Sequence, residues 1–199
     1  MEYLTIPRHE VAFTRLLGPE RIKLLAEEGW KAAKAAGVSA DILASLSNAE
    51  VAALHGYTDH SKPVGQNDYE ILNKALRTGS DTEREALAPY VETIKAALAK
   101  LPNHAGAVSR ITDLPDDVVK SLTPGGSYRD KGFMSTAIGM SGFKGKYVFF
   151  IKSRTGKHIE SFSRYPRQQE VLYIPERKFQ IISVNTRADG KVAVVLEEV

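Results

Sequence analysis

The chain has 199 residues, with 27 Lys and Arg against 24 Asp and Glu, a formal net charge of +3 and no cysteine. The absence of cysteine excludes disulfides and thiolate metal sites, and the weak, mixed charge does not by itself argue for a nucleic-acid partner. No apolar run approaches the roughly 20 residues that span a bilayer, and the N-terminus lacks the basic and apolar regions of a signal peptide, so we expect no membrane partner.

The first hundred residues have helical periodicity. Pro19 opens the first segment and Gly37 closes it, as helix ends prefer, and Ser80 with Glu83 has the spacing of a capping box at the start of the last one. Pro89 lies inside that last segment, which predicts either a kink or a late start. The predicted helices span residues 19–36, 40–54, 69–77 and 80–101.

After Pro102 the pattern changes to short runs of β-branched and aromatic residues bounded by turns. Strands are predicted at 147–152, 170–174, 178–184 and 191–198, with weaker candidates at 107–111 and 132–137. Helices followed by strands predict an α+β fold, in which an N-terminal helical half packs on a mixed or antiparallel β core. We expect one domain over 1–199, mainly helical over about 1–101 and mainly β over about 105–199.

Several polar residues interrupt the β half near predicted strand ends. In chain order they are Arg110, Ser135, Thr136, Tyr165, Gln168 and Glu170. Each has an ordinary interpretation when taken alone: a snorkelling arginine, a cross-strand hydroxyl pair, and a loop with a solvent-facing glutamate. Their order and spacing are more informative than any one of them.

An arginine, a Ser-Thr pair about 25 residues later, and an aromatic-x-x-Gln-x-Glu loop after about 30 more resemble the mono-ADP-ribosyltransferase toxins. The match is to the Arg–Ser–Glu branch of that family, here with a Gln-x-Glu loop. The segment "HGYTDHSKPVGQNDYEILNKALR" resembles the family's helical motif, "YRDKGFMSTA" its Ser-Thr strand, and "SRYPRQQEVLYIP" its loop with the terminal Glu-Val-Leu. The resemblance runs from about residue 54 to the C-terminus.

The resemblance implies NAD⁺ as a substrate, without a metal. Cleavage of the nicotinamide–ribose bond develops an oxocarbenium ion, which needs a fixed negative charge nearby. By the resemblance, Glu170 holds the ribose 2′-hydroxyl and stabilises the cation, and Ser135 orients that glutamate. Thr136 would support the same strand end, and Arg110 would pair with a phosphate of NAD⁺ through its planar fork.

The glycine-rich run "GMSGFKGKY" follows the Ser-Thr strand. In the family this region packs on the nicotinamide and the phosphates, so Phe143 is expected to stack on the pyridine ring and Lys144 to approach the pyrophosphate. The alternative is a plain hairpin loop with solvated lysines.

The loop before the glutamate faces the acceptor in this family. Tyr165 would therefore contact the acceptor macromolecule, and Gln168 holds the position that differs between subclasses. Arginine-modifying members carry a glutamate there, whereas an amide is a poor base for guanidinium but can hydrogen-bond an asparagine or glutamine side chain or a nucleobase edge. The sequence therefore predicts a non-arginine side chain of a protein as acceptor.

Four positions depart from the family pattern or add no role. Ala137 replaces the last hydroxyl of the Ser-Thr-Ser strand, and Ile111 follows Arg110 where the family often has glycine. Arg129 competes with Arg110 but lies too close to the Ser-Thr strand, and Gln169 has no evident role.

Other functional classes find little support. His55 and His60 could be two ligands of a metal ion, but the sequence offers no third ligand at a spacing typical of metal sites. No phosphate-binding glycine loop is present, which disfavours a dehydrogenase or a kinase.

The leading hypothesis is a bacterial or phage toxin or effector that is secreted or injected and acts in the cytoplasm of a target cell. Its expected partners are NAD⁺ and a macromolecular target, with an immunity protein as a further candidate. The alternatives are transfer to RNA or DNA bases, a catalytically degenerate module that binds NAD⁺ or a partner, and an NAD⁺ glycohydrolase.

Overall fold

The computed structural model describes residues 6–139 and 144–199. The chain forms two compact units. The first contains the residues up to Leu101 together with Ile159–Pro166, and the second contains Pro102–His158 together with Arg167–Val199. The division neither supports nor contradicts a single domain over 1–199, which stays a prediction.

The first unit is helical. Its helices are α1 (Arg8–Leu17), α2 (Pro19–Ala35), α3 (Ala40–Ser45), α4 (Asn48–Tyr57), α5 (Asp68–Thr78) and α6 (Asp81–Lys100). A 3₁₀ turn, Glu160–Phe162, lies in the later segment that belongs to this unit, between two strands of the second unit. Helices α2 and α4 pack closely at Gly29. A Cβ atom added at that position would lie only 2.6 Å from Cγ1 of Val51, so the glycine permits the close approach. Over the described ranges, no helix is both long and apolar enough to cross a membrane.

The predicted helices are confirmed with two corrections. The helix predicted over 40–54 is wrong as a single element: it breaks at Leu46, and α4 begins anew after Ser47. Ser47 and Glu50 form a complete capping box there, which satisfies two backbone amides at the new helix start. The late start considered for the last helix is also wrong, because α6 begins at Asp81 and runs through Pro89. Helix α1 was not predicted.

The second unit is built on a seven-stranded sheet. Its strands are β1 (Asn103–Thr112), β2 (Ser127–Arg129), β3 (Met134–Ala137), β4 (Tyr147–His158), β5 (Glu170–Tyr173), β6 (Lys178–Thr186) and β7 (Val192–Glu198), with a short helix α7 (Asp116–Ser121). The strand order is β1-β3-β5-β4-β7-β6-β2, and β1 also pairs with β4. Of these pairings, β4 with β7 is parallel and the others are antiparallel.

The core of the second unit lies on one face of this sheet. Phe149, Val171, Tyr173 and Leu196 are among its buried members. Strand β4 extends to His158, beyond the predicted end at Lys152, because its charged residues alternate with buried ones as a half-buried strand requires. Helices together with a mainly antiparallel sheet confirm the predicted α+β class.

Candidate active site

The register between β3 and β5 positions two of the predicted site residues. Ala137 pairs directly with Glu170, and Ser135 pairs with Leu172. Because side chains alternate along a strand, Ser135, Ala137 and Glu170 lie on the same face, with Ser135 diagonal to the glutamate. The sheet thus places the hydroxyl and the carboxyl within reach of each other.

Glu170, at the start of β5, is buried, with 8% of its surface exposed. Burial raises the pKa of Glu170 to about 7, because it disfavours the charged form. A hydrogen bond from the Ser135 side chain and the positive charge of Arg110 act in the opposite direction and favour the carboxylate. The protonation state of Glu170 is therefore balanced near neutral pH.

Arg110 reaches the same place from β1. Its Nη1 donates to the backbone carbonyl of Ser135 at 2.8 Å. Its Nε is buried and has no hydrogen-bond partner among the described residues, so the guanidinium keeps a free donor for an anion. The competing Arg129 is in β2 at the opposite end of the sheet order, which separates it from Ser135 and Glu170.

Thr136 supports the site from the other face of β3. Its hydroxyl donates to the backbone carbonyl of Val171 at 2.7 Å, and both residues are buried. Nearby, the Ser109 hydroxyl hydrogen-bonds the carbonyl of Gly139. These bonds fasten the strand ends that carry Arg110 and Ser135.

The residue before Glu170 has an unusual backbone. Gln168 ends a 3₁₀ turn, Pro166–Gln168, and is exposed, whereas Glu170 begins β5 and is buried. Between them Gln169 has a φ of +46°, a left-handed conformation that non-glycine residues rarely adopt. Its carbonyl accepts from Ile138 N at 3.2 Å. No sequence signal predicted this turn, because glutamine is not among the residues enriched in that region.

The remaining predicted residues are placed as follows. Tyr165 belongs to the first unit, where it is half-buried, and its ring centroid lies 5.4 Å from that of His60. Lys144 is exposed. Phe143 lies outside the described residues. The structure thus brings Arg110, Ser135 and Glu170 together, while their catalytic roles, and the roles of the other residues, stay predictions.

The three grouped residues suit a substrate that carries phosphates and a ribose. Arg110 offers an unpaired buried donor to an anion, and Glu170 offers a carboxyl that ionises near neutrality. These are the groups that NAD⁺ needs for binding and for stabilisation of a developing cation. Within residues 6–139 and 144–199, no group of three His, Asp or Glu side chains is arranged to hold a metal ion.

Known proteins are similar to this chain in sequence. The Mav protein of Mycobacterium avium (strain 104) is 36% identical over 144 residues, which are 69% of this chain and 16% of Mav. An NAD(+)–protein-arginine ADP-ribosyltransferase, Tre1 of Serratia proteamaculans (strain 568), is 31% identical over 145 residues, 73% of this chain and 31% of Tre1. The chain therefore spans less than a third of either relative.

The fold has a counterpart among solved structures. The ADP-ribosyltransferase HopU1 of Pseudomonas syringae pv. tomato DC3000 superposes with a TM-score of 0.77 over 100% of both chains, at 21% identity. The family model for NAD:arginine ADP-ribosyltransferases matches residues 21–199. Because that model matches most of the chain, the chain belongs to the NAD:arginine ADP-ribosyltransferase family.

Proposed function

We propose that this chain is a mono-ADP-ribosyltransferase domain of a toxin or effector, which transfers ADP-ribose from NAD⁺ to a side chain of a protein. The observation that carries the proposal is the buried Glu170 carboxyl. It accepts a hydrogen bond from the Ser135 side chain and is stabilised in its ionised form by the positive charge of Arg110. A carboxyl buried beside a cation, with a pKa raised toward neutrality, is a feature of catalytic sites. Family membership supports the same reaction.

In this mechanism Glu170 acts as the carboxylate. It accepts a hydrogen bond from the ribose 2′-hydroxyl and stabilises positive charge at C1′ as the bond to nicotinamide breaks. The bonding electrons leave with nicotinamide, which becomes neutral. The acceptor atom then bonds C1′ and gives up a proton. Water in place of the side chain gives NAD⁺ hydrolysis as a side activity.

Ser135 and Arg110 prepare the site for that step. The Ser135 hydroxyl fixes the Glu170 carboxyl and favours its ionised form. Arg110 is itself fixed by its bond to the Ser135 carbonyl, so its remaining donors are oriented before a phosphate arrives. Thr136 would support the site by holding the end of β3 against β5. The exposed Lys144 would contact the pyrophosphate of NAD⁺.

Arginine is the first candidate for the acceptor residue, since Tre1 is named for protein-arginine transfer. The Gln168 amide oxygen can accept a hydrogen bond from guanidinium and orient it, although it cannot take the proton. The second candidate is an asparagine or glutamine side chain, which the exposed Gln168 amide can bind through both its donor and its acceptor. Tyr165 would contact the acceptor protein in both cases.

The setting of the reaction is part of the proposal. We infer that the protein is secreted or injected by a bacterium or phage and acts in the cytoplasm of a target cell. An immunity protein in the producing cell is the partner that such a toxin would require.

The test uses purified protein, labelled NAD⁺ and a lysate that is separated afterwards into protein and nucleic-acid fractions. We expect label on protein bands, which disappears with Glu170→Gln, and mass spectrometry of those bands identifies the modified residue. Label confined to RNA or DNA would replace the acceptor class. Neither label nor released nicotinamide would favour a binding module and would contradict the proposal.

The acceptor residue is tested by Gln168→Glu, with Gln169→Glu as a control that adds the same charge one residue away. If the acceptor is arginine, Gln168→Glu should keep or increase labelling, because a carboxylate binds guanidinium more strongly than an amide does. If the acceptor is an amide side chain, the same substitution should reduce labelling while NAD⁺ hydrolysis continues.

A further inference from the structure

Within the first unit, a buried histidine connects two helices to the segment that contains Tyr165. His55, at the end of α4, has 3% of its surface exposed. Its Nδ1 lies 2.8 Å from the carbonyl oxygen of Phe162, and its Nε2 lies 3.0 Å from Oε2 of Glu28 on α2. A ring that carries a proton on both nitrogens donates to both of these acceptors.

Glu28 continues the connection to the residue next to Tyr165. Its Oε2 also lies 3.6 Å from Nη1 of Arg164. The carboxylate therefore contacts a nitrogen of His55 on one side and the guanidinium on the other. We call Glu28, His55 and Arg164 the ionic triad. It holds the backbone at Phe162 and the side chain at Arg164, two positions on the N-terminal side of Tyr165.

Tyr165 has two further contacts in the same unit. Its backbone N–H donates to the hydroxyl of the buried Ser163 at 2.9 Å. Its ring lies 5.4 Å from His60, whose ring in turn lies 4.7 Å from that of Tyr69 on α5. Desolvation by burial lowers the pKa of His60, which favours a neutral ring that can pack against tyrosines.

We propose that the ionic triad, together with His60, positions Tyr165 for recognition of the acceptor protein. This inference rests on the proposed function, in which Tyr165 contacts the acceptor. Tyr165 itself touches the acceptor, whereas Glu28, His55, His60 and Arg164 are positioning residues that act through it. A weakened triad leaves Tyr165 free to sample other positions, so acceptor binding loses affinity while cleavage of NAD⁺ does not.

The test uses substitutions at the two exposed members of the triad, where side-chain exposure is 42% for Glu28 and 46% for Arg164. Glu28→Gln keeps the shape but weakens both ionic contacts, and Arg164→Met removes one. The matched control is Glu92→Gln, which breaks an exposed ion pair with Lys95 on α6. Two activities are measured: NAD⁺ hydrolysis, and labelling of one lysate protein fraction at increasing total protein.

We expect Glu28→Gln and Arg164→Met to raise the half-saturating lysate protein concentration about fivefold or more, with NAD⁺ hydrolysis within about twofold of the parent. Glu92→Gln should change neither. In the Tyr165→Ala background, Arg164→Met should add no further loss, because the residue that it positions is already gone. An equal fall in both activities, or an unchanged half-saturation, would overturn the proposal.

Trypsin cleavage gives a readout that does not depend on catalysis. In the parent, trypsin cleaves after Arg164 and Arg167 when this segment opens locally. We expect Glu28→Gln or His55→Gln to accelerate this cleavage about threefold or more under native conditions. Equal cleavage rates in the parent and the variants would overturn the positioning role. A protein that neither labels nor hydrolyses would instead contradict the proposed function, and the cleavage rates would still decide whether the triad holds the segment.

Discussion

Arg110 donates a hydrogen bond from its side chain to the backbone of Ser135 at 2.8 Å, although the two residues belong to different strands. The side chain of Ser135 then hydrogen-bonds Glu170 on a third strand. The proposed phosphate ligand, the orienting hydroxyl and the carboxylate are thus connected through one residue. We expect substitutions at the three positions to be non-additive for that reason.

Arg110→Lys should weaken NAD⁺ binding while it preserves the charge. Lysine carries its donors on one nitrogen without the planar fork, so it cannot reproduce the geometry in which separate nitrogens bond the Ser135 carbonyl and a phosphate. We expect KM for NAD⁺ in the hydrolysis assay to rise about tenfold or more, with a smaller change in kcat. Arg129→Lys, at the other end of the sheet order, is the matched control and should leave KM unchanged. An unaltered KM in Arg110→Lys would argue against a phosphate contact.

Glu170→Gln should separate catalysis from stability. The amide has nearly the same shape but no charge, so we expect kcat for transfer to fall by about 100-fold or more. The melting temperature at pH 8 should stay the same or rise, because a buried neutral amide avoids the desolvation cost of the carboxylate. Glu85→Gln, exposed on α6, is the control for both measurements. A variant that loses activity because it unfolds would contradict this prediction.

The pH dependence of activity should follow the ionisation of Glu170. Its pKa of about 7 means that the free enzyme loses the carboxylate as the pH falls below neutrality. We expect kcat/KM for NAD⁺ to fall about tenfold per pH unit below pH 7 and to level off above it. The profile is measured by nicotinamide release between pH 5.5 and 8.5, at roughly half-unit intervals around the pKa. A flat profile would exclude Glu170 as the ionising group.

The raised pKa of Glu170 should lower the stability of the protein over the pH range in which it raises the activity. A carboxyl whose pKa is raised on folding holds its proton to higher pH than in the unfolded chain. Its contribution to the free energy of unfolding is therefore present below the unfolded value of 4.5 and is lost as the pH rises toward 7. Denaturant midpoints of the parent and Glu170→Gln should diverge over this interval, with the parent becoming relatively less stable as the pH increases.

Local patterns were sufficient to predict much of this fold, whereas the candidate site residues were predicted from the order and spacing that resemble a known family. The β-rich run at Glu170 and the Ser-Thr pair at Ser135 marked the strands that carry them, because strand propensity and turn residues agree there. The pairing that makes Ser135 diagonal to Glu170 could not be predicted, since it depends on register between strands far apart in sequence.

Two features of the structure had no local signal in the sequence. Gln169 adopts a left-handed conformation, although the position lacks the glycine or asparagine from which such a turn is usually predicted. We therefore infer that tertiary contacts impose the turn. His55 and Glu28 meet only because α2 and α4 pack closely at Gly29, a contact that periodicity does not reveal. Helix α4 is buried on all sides, so its sequence has no polar face from which the partners of His55 could be predicted.

Ala137→Ser should restore a hydroxyl opposite the glutamate and shift the pH profile. Ala137 pairs directly with Glu170 across β3 and β5, so a serine there has its oxygen near the carboxyl. An O–H donor stabilises the carboxylate more than the protonated form, which lowers the pKa of Glu170. We expect the acidic limb of kcat/KM to move down by about one pH unit, as a hydrogen bond to a charged group implies. Ala193→Ser on β7 is the control, and an acidic limb that coincides with the parent's would show that position 137 does not act on Glu170.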